Sequence, residues 1–268
     1  MNKKLISLLA IVASLSFSCH SAKSNPNVIK VAATPIPQAE MLNFIGPDLK
    51  EKGYDLEVVV MDDYNLPNRA LADKEVDANF FQHIPFFDQQ KEQFHYPICI
   101  LAKIHVEPMG IYSKKVTSLS DIPLGAVVAI PSDPTNEGRA LLLLQKQGLI
   151  TIHSAGMSSL TVRNILSNPK KLKFQEVDAA MLSRTLPDVT LAVIPTNFAM
   201  QSGLSPEKDA LALEDKSSPY VNVIAVRCDD MNEPKLLALK NAMTSQKMHD
   251  YITSHYQGAV IPAFDVGP

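Results

Sequence analysis

The sequence lacks several features that would assign it to a class at once. It has no tryptophan, only 3 cysteines and 10 glycines among 268 residues, and its 25 basic residues do not exceed its 28 acidic ones, for a formal net charge of −3. A protein that follows nucleic-acid phosphates normally carries a basic excess, so this balance argues against nucleic-acid binding. No run reaches the roughly 20 apolar residues that a membrane-spanning helix needs. The length allows about two domains of ~100–150 residues each.

The usual signatures of catalysis and metal binding are also missing. The chain contains no glycine-rich nucleotide motif (G-x-G-x-x-G or G-x-x-x-x-G-K-[ST]), no G-x-S-x-G and no H-E-x-x-H. It has no C-x-x-C pair, and its 7 histidines are scattered, which disfavours a metal cluster. We therefore expect no enzymatic activity, no metal and no cofactor. A two-lobed hydrolase or transferase is an alternative, but it requires a nucleophile and a base that meet in a cleft.

The first 18 residues have the pattern of an export signal. Two lysines precede the uncharged apolar run from Leu5 to Phe17, and Cys19 follows directly after Ser18. This order predicts a lipoprotein that is cleaved before Cys19 and acylated on it, with residues 19–27 as a lipid-anchored tether. Ordinary cleavage between Ser18 and Cys19 is the alternative. We expect an exported protein, anchored to a bacterial cell membrane and facing the periplasm or the cell exterior.

The other two cysteines are Cys99 and Cys228, and both lie in apolar segments typical of strands. They can pair in an oxidising compartment, but a free cysteine is also among the residues most often buried. We expect two buried, free cysteines.

After the tether, short β-branched segments alternate with helical ones, which predicts parallel or mixed sheets covered by helices on both faces. We expect strands at 28–33, 56–61, 76–80, 98–104, 126–130, 172–177, 189–194 and 220–226, and helices at 38–52, 68–74, 85–94, 134–147, 159–166, 197–202 and 233–256. The pattern restarts near Ala126, so two α/β units with a late strand returning to the first fit the count. Sites in such sheets form at the carboxyl ends of strands and between lobes.

Several segments resemble one known family. They are ATP (33–35), DY (63–64), ANFFQH (78–83), HVEPMG (105–110), IPSDPTNEGRA (130–140), SPYVNV (218–223) and GAVIPAF (258–264). Together they resemble the MetQ/NlpA family of methionine-binding lipoproteins, which are substrate-binding subunits of methionine ABC importers. The resemblance implies a monomer that captures methionine and delivers it to an ABC permease with its ATPase.

The implied fold is α/β, a two-lobed periplasmic-binding-protein fold (type II-like). Each lobe is a mixed sheet flanked by helices, and the ligand binds in the cleft between the lobes. We place lobe 1 at residues 28–109 and 224–268, and lobe 2 at residues 110–223.

Arg139 is the expected anchor for the α-carboxylate of the ligand. Asp133 followed by Pro134 makes a good helix start, with Asp as the N-cap and Pro at the first helical position. Arg139 falls in the second turn, and helical side chains lean toward the N-terminus. Its guanidinium can therefore join the free backbone N–H groups and the helix dipole around one carboxylate. A lone arginine on a helix is more often exposed to solvent. Here the helix start at Asp133 and Pro134 and the family resemblance favour a role as ligand anchor.

The resemblance implies five further ligand-binding residues: Tyr64, Phe81, His83, Asn197 and Asn222. Aromatic rings suit a flexible thioether side chain. We expect Phe80 to lie in the core, and without the resemblance we would interpret His83 as an ordinary buried histidine. Asn222 lies in an apolar strand, where an unpaired amide costs ~1–3 kcal/mol, and a ligand can relieve that cost.

The chain departs from the family pattern at the rim of the expected pocket. It has Ile36 and Gln38 where the family often has Gly and His, and Asn197 stands between Thr196 and Phe198 instead of in the usual Asn-Tyr context. Another small amino acid or a Met-containing dipeptide is therefore an alternative ligand. A surface lipoprotein acting as an adhesin or scaffold is an alternative function, which predicts an exposed apolar patch instead of a closed pocket.

Overall fold

The computed structural model of the chain describes residues 25–153 and 160–266. The expected signal peptide, Cys19 and most of the tether lie outside the described residues. Within them, no helix combines the length and the apolar character that crossing a membrane requires.

The described residues form alternating strands and helices. The strands are β1 (Val28–Ala33), β2 (Asp55–Val60), β3 (Ala78–His83), β4 (Ile98–Val106), β5 (Gly110–Tyr112), β6 (Val127–Pro131), β7 (Thr151–Ile152), β8 (Ile165–Ser167), β9 (Lys173–Val177), β10 (Leu191–Ile194), β11 (Ala212–Leu213), β12 (Val221–Arg227) and β13 (Ile261–Pro262). The helices are α1 (Glu40–Glu51), α2 (Leu66–Ala72), α3 (Ile84–Phe94), α4 (Pro134–Lys146), α5 (Leu182–Thr185), α6 (Thr196–Gln201), α7 (Pro206–Asp209), α8 (Pro234–Met243) and α9 (Gln246–Tyr256).

Two mixed sheets organise these elements, as the expected fold class requires. The first sheet has six strands in the order β13-β4-β12-β3-β1-β2, and the second has five in the order β11-β5-β10-β6-β9. In the first sheet β1 runs parallel to β2 and β3, whereas β12 is antiparallel to β3 and β4. In the second, β6 is parallel to β9 and β10, and β5 is antiparallel to β10. β7 and β8 pair with each other antiparallel and complete the described strands.

Each sheet has its own apolar core. In the first, Val31 of β1 packs in one cluster with Ile45 of α1. In the second, Ile130 of β6 packs in one cluster with Leu141 of α4. Each sheet therefore buries apolar surface against its own helices.

The chain passes between the two sheets through two connections. It leaves β4 after Val106 and enters the second sheet at Gly110; it returns to β12, whose Val221 pairs with Val106. β12 lies in the first sheet along its whole length, so a lobe boundary between residues 223 and 224 would cut this strand. We therefore propose residue 220 as the end of the second lobe.

Two of the expected helices are wrong, and the short elements β5, β7, β11, β13, α5 and α7 were not expected. The described part of the helix expected at 159–166 is a 3₁₀ turn at Val162–Asn164 followed by β8, and the Thr161 hydroxyl caps that turn by accepting from the backbone N–H of Arg163. The helix expected at 233–256 is divided into α8 and α9. The division occurs because the Ser245 hydroxyl accepts from the backbone N–H of Met248 (3.2 Å) and starts a new helix.

Cys99 and Cys228 form a disulfide, so the expectation of two free cysteines is wrong. The first lies near the start of β4 and the second directly after β12, and the pairing of these strands brings their Cα atoms to 4.9 Å. The two residues are 129 positions apart, so the sequence offers no local signal for the pairing. Disulfides persist in oxidising compartments, which agrees with an exported protein.

Candidate functional site

All six residues expected to bind ligand border one cavity between the two sheets. The ends of β3, β6 and β10 lead into α3, α4 and α6 at this cavity, so it lies at the carboxyl ends of strands, as expected. The lining residues are Tyr64, Phe81, His83, Phe86, Glu107, Asn136, Arg139, Pro195, Thr196, Asn197 and Asn222. Five of them were not expected from the sequence: Phe86, Glu107, Asn136, Pro195 and Thr196.

Phe81 lies at a β-bulge in β3 and lines the cavity. Along the β3–β12 pairing, Gln82 lies opposite Val223 and Phe80 lies opposite Ile224, so Phe81 is the extra residue of the bulge. Bulges re-aim side chains and recur next to functional sites. Phe80 is fully buried in the first core, as expected from the sequence, while Phe81 lines the cavity.

Aromatic rings form one wall of the cavity, with Tyr64 at their centre. The ring centroid of Tyr64 lies 5.9 Å from Phe81, 5.7 Å from Phe86 and 5.0 Å from Phe198. Phe81 and Phe86 meet edge to face at 5.8 Å. These separations are typical of favourable aromatic pairs, and the wall they make suits an apolar or sulfur-containing side chain.

His83 is buried and neutral, and it joins the two sheets. Burial and, secondarily, the charge of Arg139 lower its pKa to about 3. Its Nδ1 accepts from the backbone N–H of Phe86 (3.1 Å), which caps α3. The ring proton is therefore on Nε2, which donates to Oδ1 of Asn136 on α4 (3.0 Å). Both ring nitrogens are thus hydrogen-bonded to the protein, so only the surface of the imidazole ring is available for contacts in the cavity.

Asp133 fixes the orientation of Asn136. It is the N-cap of α4, as expected, and it accepts from the backbone N–H of Asn136 (3.0 Å). It also accepts from the Asn136 side-chain Nδ2 (3.0 Å), which leaves Oδ1 to face His83. Burial raises the pKa of Asp133, and these hydrogen bonds partly oppose that rise.

Tyr64 and Asn197 form a second contact between the two sheets. The Tyr64 hydroxyl donates to Oδ1 of Asn197 (2.8 Å), and burial raises the pKa of Tyr64 well above its ordinary value, so the phenol stays a donor. Among the described residues, Nδ2 of Asn197 has no hydrogen-bond partner although it is buried. A buried donor without an acceptor costs ~1–3 kcal/mol, so an acceptor placed in the cavity would relieve this cost.

Arg139 lines the cavity with only part of its guanidinium. Nε donates to Oε1 of Glu214 (2.8 Å), and Nη2 donates to Oε2 of Glu214 and to the backbone oxygen of Glu107 (both 2.6 Å). Burial lowers the pKa of Arg139, but the carboxylate of Glu214 and its hydrogen bonds raise it, so the pKa lies above its ordinary value. Nη1 makes no hydrogen bond with a described residue. The bidentate face that the sequence analysis assigned to a ligand carboxylate is therefore taken by Glu214, and Nη1 is left for a ligand.

Asn222 borders the cavity from the centre of the first sheet. Its backbone is paired with His83 of β3 on one side and His105 of β4 on the other. The residue is 5% exposed, and its side-chain amide takes part in none of the hydrogen bonds among the described residues. Its donors and acceptor are therefore available to a ligand.

Glu107 adds a buried carboxylate that the sequence analysis did not single out. It follows β4 directly, and its Oε1 accepts from Nε2 of Gln38 (2.7 Å) and from Nε2 of His105 (2.6 Å). The only sequence signal was an acidic residue at the end of a buried strand, within the HVEPMG segment. Within residues 25–153 and 160–266, no group of three or more His, Cys, Asp or Glu side chains could hold a metal ion.

Comparisons with known proteins agree with this architecture. Residues 29–264 match the family model described as NlpA lipoprotein. The methionine-binding lipoprotein MetQ of Bacillus subtilis is 42% identical over 270 residues, which cover 97% of this chain and 98% of that protein. A solved structure of a nutrient-binding protein from Burkholderia cenocepacia bound to methionine has a TM-score of 0.85 and 43% identity, covering 88% of this chain and 100% of that one. An ABC transporter periplasmic substrate-binding protein from Coxiella burnetii has a TM-score of 0.83 and 45% identity, covering 88% and 100%.

Proposed function

The chain belongs to the NlpA lipoprotein family, and we propose that it captures methionine in the cavity between its two sheets and delivers it to an ABC import permease. One observation carries this proposal: the same cavity joins an aromatic wall to polar groups that have no partner among the described residues. Methionine has the matching order of groups, a flexible thioether chain attached to a zwitterion. The methionine named for the Bacillus and Burkholderia relatives supports the same ligand.

The polar end of the ligand meets donors from the second sheet in this proposal. Nδ2 of Asn197 and Nη1 of Arg139 are the donors we assign to the α-carboxylate, and Asn222 contributes its amide from the first sheet. Hydrogen bonds to a charged group contribute ~1.5–3 kcal/mol each when they are well formed. These contacts involve only the groups that all α-amino acids share, so the preference for methionine must come from the aromatic wall.

The thioether chain packs against Tyr64, Phe81 and Phe86 in our assignment. Sulfur–aromatic contacts contribute ~0.3–1.5 kcal/mol each, and burial of the chain adds ~0.8 kcal/mol per CH₂. Because the pKa values of Tyr64 and His83 keep both side chains uncharged at neutral pH, this wall presents no charge to the apolar chain.

Ligand capture is coupled to the approach of the two lobes. The contacts His83–Asn136 and Tyr64–Asn197 each join one residue near the first sheet to one at the second, and both lie at the cavity. A ligand that touches both sides favours the closed arrangement by its differential affinity for the open and closed states. This activity needs no covalent chemistry, and we propose no catalytic role for the chain.

We further propose that the protein acts as an exported, monomeric lipoprotein. Acylation of Cys19 would hold it at the membrane beside its permease and ATPase, and the tether at residues 19–27 would let it reach them. The disulfide between Cys99 and Cys228 supports an oxidising location.

Native mass spectrometry of the purified protein, followed by titration calorimetry with a panel of amino acids, tests this function. We expect a retained ligand with the mass of methionine and a 1:1 binding isotherm for methionine. Weaker binding is expected for leucine, which lacks the sulfur, and for alanine, which lacks the chain. A protein that binds no amino acid, or that binds all three equally, would refute the proposal.

A further inference from the structure

We propose that Glu107 receives the α-ammonium group of the ligand and makes the cavity selective for compounds with a free amino group. This inference rests on the proposed function, because it concerns the same cavity and the same ligand class. It assigns to Glu107 the recognition of the one charged group of an amino acid that the donors at Arg139 and Asn197 cannot bind, since both of those groups only donate.

Only one oxygen of the Glu107 carboxylate accepts hydrogen bonds from described residues, and the other is available to a ligand. Oε1 accepts from Gln38 (2.7 Å) and from His105 (2.6 Å), and the Thr34 hydroxyl in turn donates to Oε1 of Gln38 (2.5 Å). Oε2 makes no hydrogen bond with a described residue. Glu107 is 5% exposed and is one of the residues that line the cavity.

The charges around the cavity favour a cation near Glu107. Arg139 is the only Lys or Arg among the described residues that line the cavity, and it faces two carboxylates, Glu107 and Glu214. Glu214 forms the bidentate pair with the guanidinium, so the charge of Arg139 is largely matched before a ligand arrives. The carboxylate of Glu107 is then the acidic group on the wall that a ligand ammonium can pair with.

The position of Glu107 also fits the covalent structure of an α-amino acid. The ammonium and carboxylate groups sit on one carbon, so their receptors must be neighbours. Nη2 of Arg139 donates to the backbone oxygen of Glu107 at 2.6 Å, which places the guanidinium and Glu107 side by side on the cavity wall. Nη1 and Oε2 are therefore suited to opposite ends of one zwitterion.

A purely structural role for Glu107 makes a different prediction. If the carboxylate served only to satisfy His105 and Gln38, its loss would weaken all ligands alike, whether or not they carry an amino group. Ligand analogues separate the two roles: 4-(methylthio)butanoate lacks only the ammonium of methionine, and methionine amide keeps the ammonium but loses the carboxylate charge.

The unmodified protein provides the first test and needs no variant. Titration calorimetry, with competition against methionine for the weaker ligand, should show methionine binding at least tenfold more tightly than 4-(methylthio)butanoate, the size of effect expected for a hydrogen bond to a charged group. Equal affinities would overturn the assignment. If methionine itself does not bind, the proposed function fails, and this outcome is distinct from failure of the assignment.

The second test uses Glu107→Gln, with Glu137→Gln as the matched control. Glu137 is also a buried glutamate, 5% exposed, but it accepts from the backbone N–H of Val162 (2.9 Å) and does not border the cavity. In Glu107→Gln the preference for methionine over 4-(methylthio)butanoate should fall about tenfold or more, and methionine amide should lose affinity at least as much as methionine. Glu137→Gln should keep the preference of the unmodified protein. An unchanged preference in Glu107→Gln, including an equal loss for every ligand, would overturn the proposal.

Discussion

Replacing Arg139 by Met should damage both ligand binding and the fold, because the guanidinium is one half of a buried ion pair. The sequence alone predicts Arg139 as a ligand anchor and shows no structural partner for it. The bidentate contact to Glu214 changes that expectation, since the side chains of Arg139 and Glu214 are only 3% and 11% exposed. Removing one partner of such a pair leaves an uncompensated charge and typically costs ~3–5 kcal/mol of unfolding free energy.

A double-mutant cycle separates the two effects. Arg139→Met should lower the unfolding free energy by ~3–5 kcal/mol, and Glu214→Gln added to it should restore most of this loss, because replacing both charges with neutral groups is often nearly neutral. Methionine binding should stay weak in the double variant, since Nη1 is still missing. Urea unfolding followed by circular dichroism measures the first quantity, and titration calorimetry measures the second. A loss of less than ~1 kcal/mol in Arg139→Met, or no recovery in the double variant, would refute the reasoning.

Four further predictions concern other parts of the chain. The pKa of His83 is about 6.5 in the unfolded chain and about 3 in the folded one, so between these pH values the unfolded state binds more protons and the unfolding free energy should fall as the pH is lowered. In His83→Gln the midpoint of urea unfolding should depend less on pH across this range. The same pH dependence in the variant and the parent would contradict the assignment. Replacing Cys99 and Cys228 by Ser should lower the unfolding free energy by about 2–4 kcal/mol and leave methionine affinity unchanged, because the bond lies at the start of β4 and neither cysteine lines the cavity. A large loss of affinity in calorimetry would argue against this. Cys19→Ser should move the protein from the membrane to the soluble exported fraction on cell fractionation, since each buried CH₂ of an acyl chain contributes ~0.8 kcal/mol; retention at the membrane would reveal another attachment. Asn222→Ala should bind methionine weakly and lose the ligand-induced compaction in small-angle scattering while its unfolding midpoint stays close to that of the parent; tight binding with normal compaction would make Asn222 a structural residue.

Local patterns predicted local structure well. Asp133 before Pro134 marked the start of α4 because a cap depends on residues only a few positions apart. The alternation in β3 correctly placed Phe80 in the core, although it could not reveal the bulge at Phe81, since a bulge depends on the partner strand β12. The recognised segments brought the six expected residues to one cavity because they fall at strand ends that face the same cleft.

Contacts between distant parts of the chain were beyond the reach of the sequence patterns. Glu214 lies 75 positions from Arg139, and nothing near either residue indicates that they meet. The disulfide between Cys99 and Cys228 depends on β4 and β12 being neighbours, which composition cannot show. Glu107 was missed although its partner His105 is only two positions away, because its other partner Gln38 lies 69 positions away and the cavity beside it forms only in the fold.

A crystal structure of the protein with methionine tests the central claim most directly. We expect density for one methionine molecule in the cavity, with its sulfur against Tyr64 and Phe81, its carboxylate within hydrogen-bond distance of Nδ2 of Asn197, and its ammonium at Glu107. Methionine bound outside the cavity, or a cavity that stays without methionine at a saturating concentration, would contradict the account.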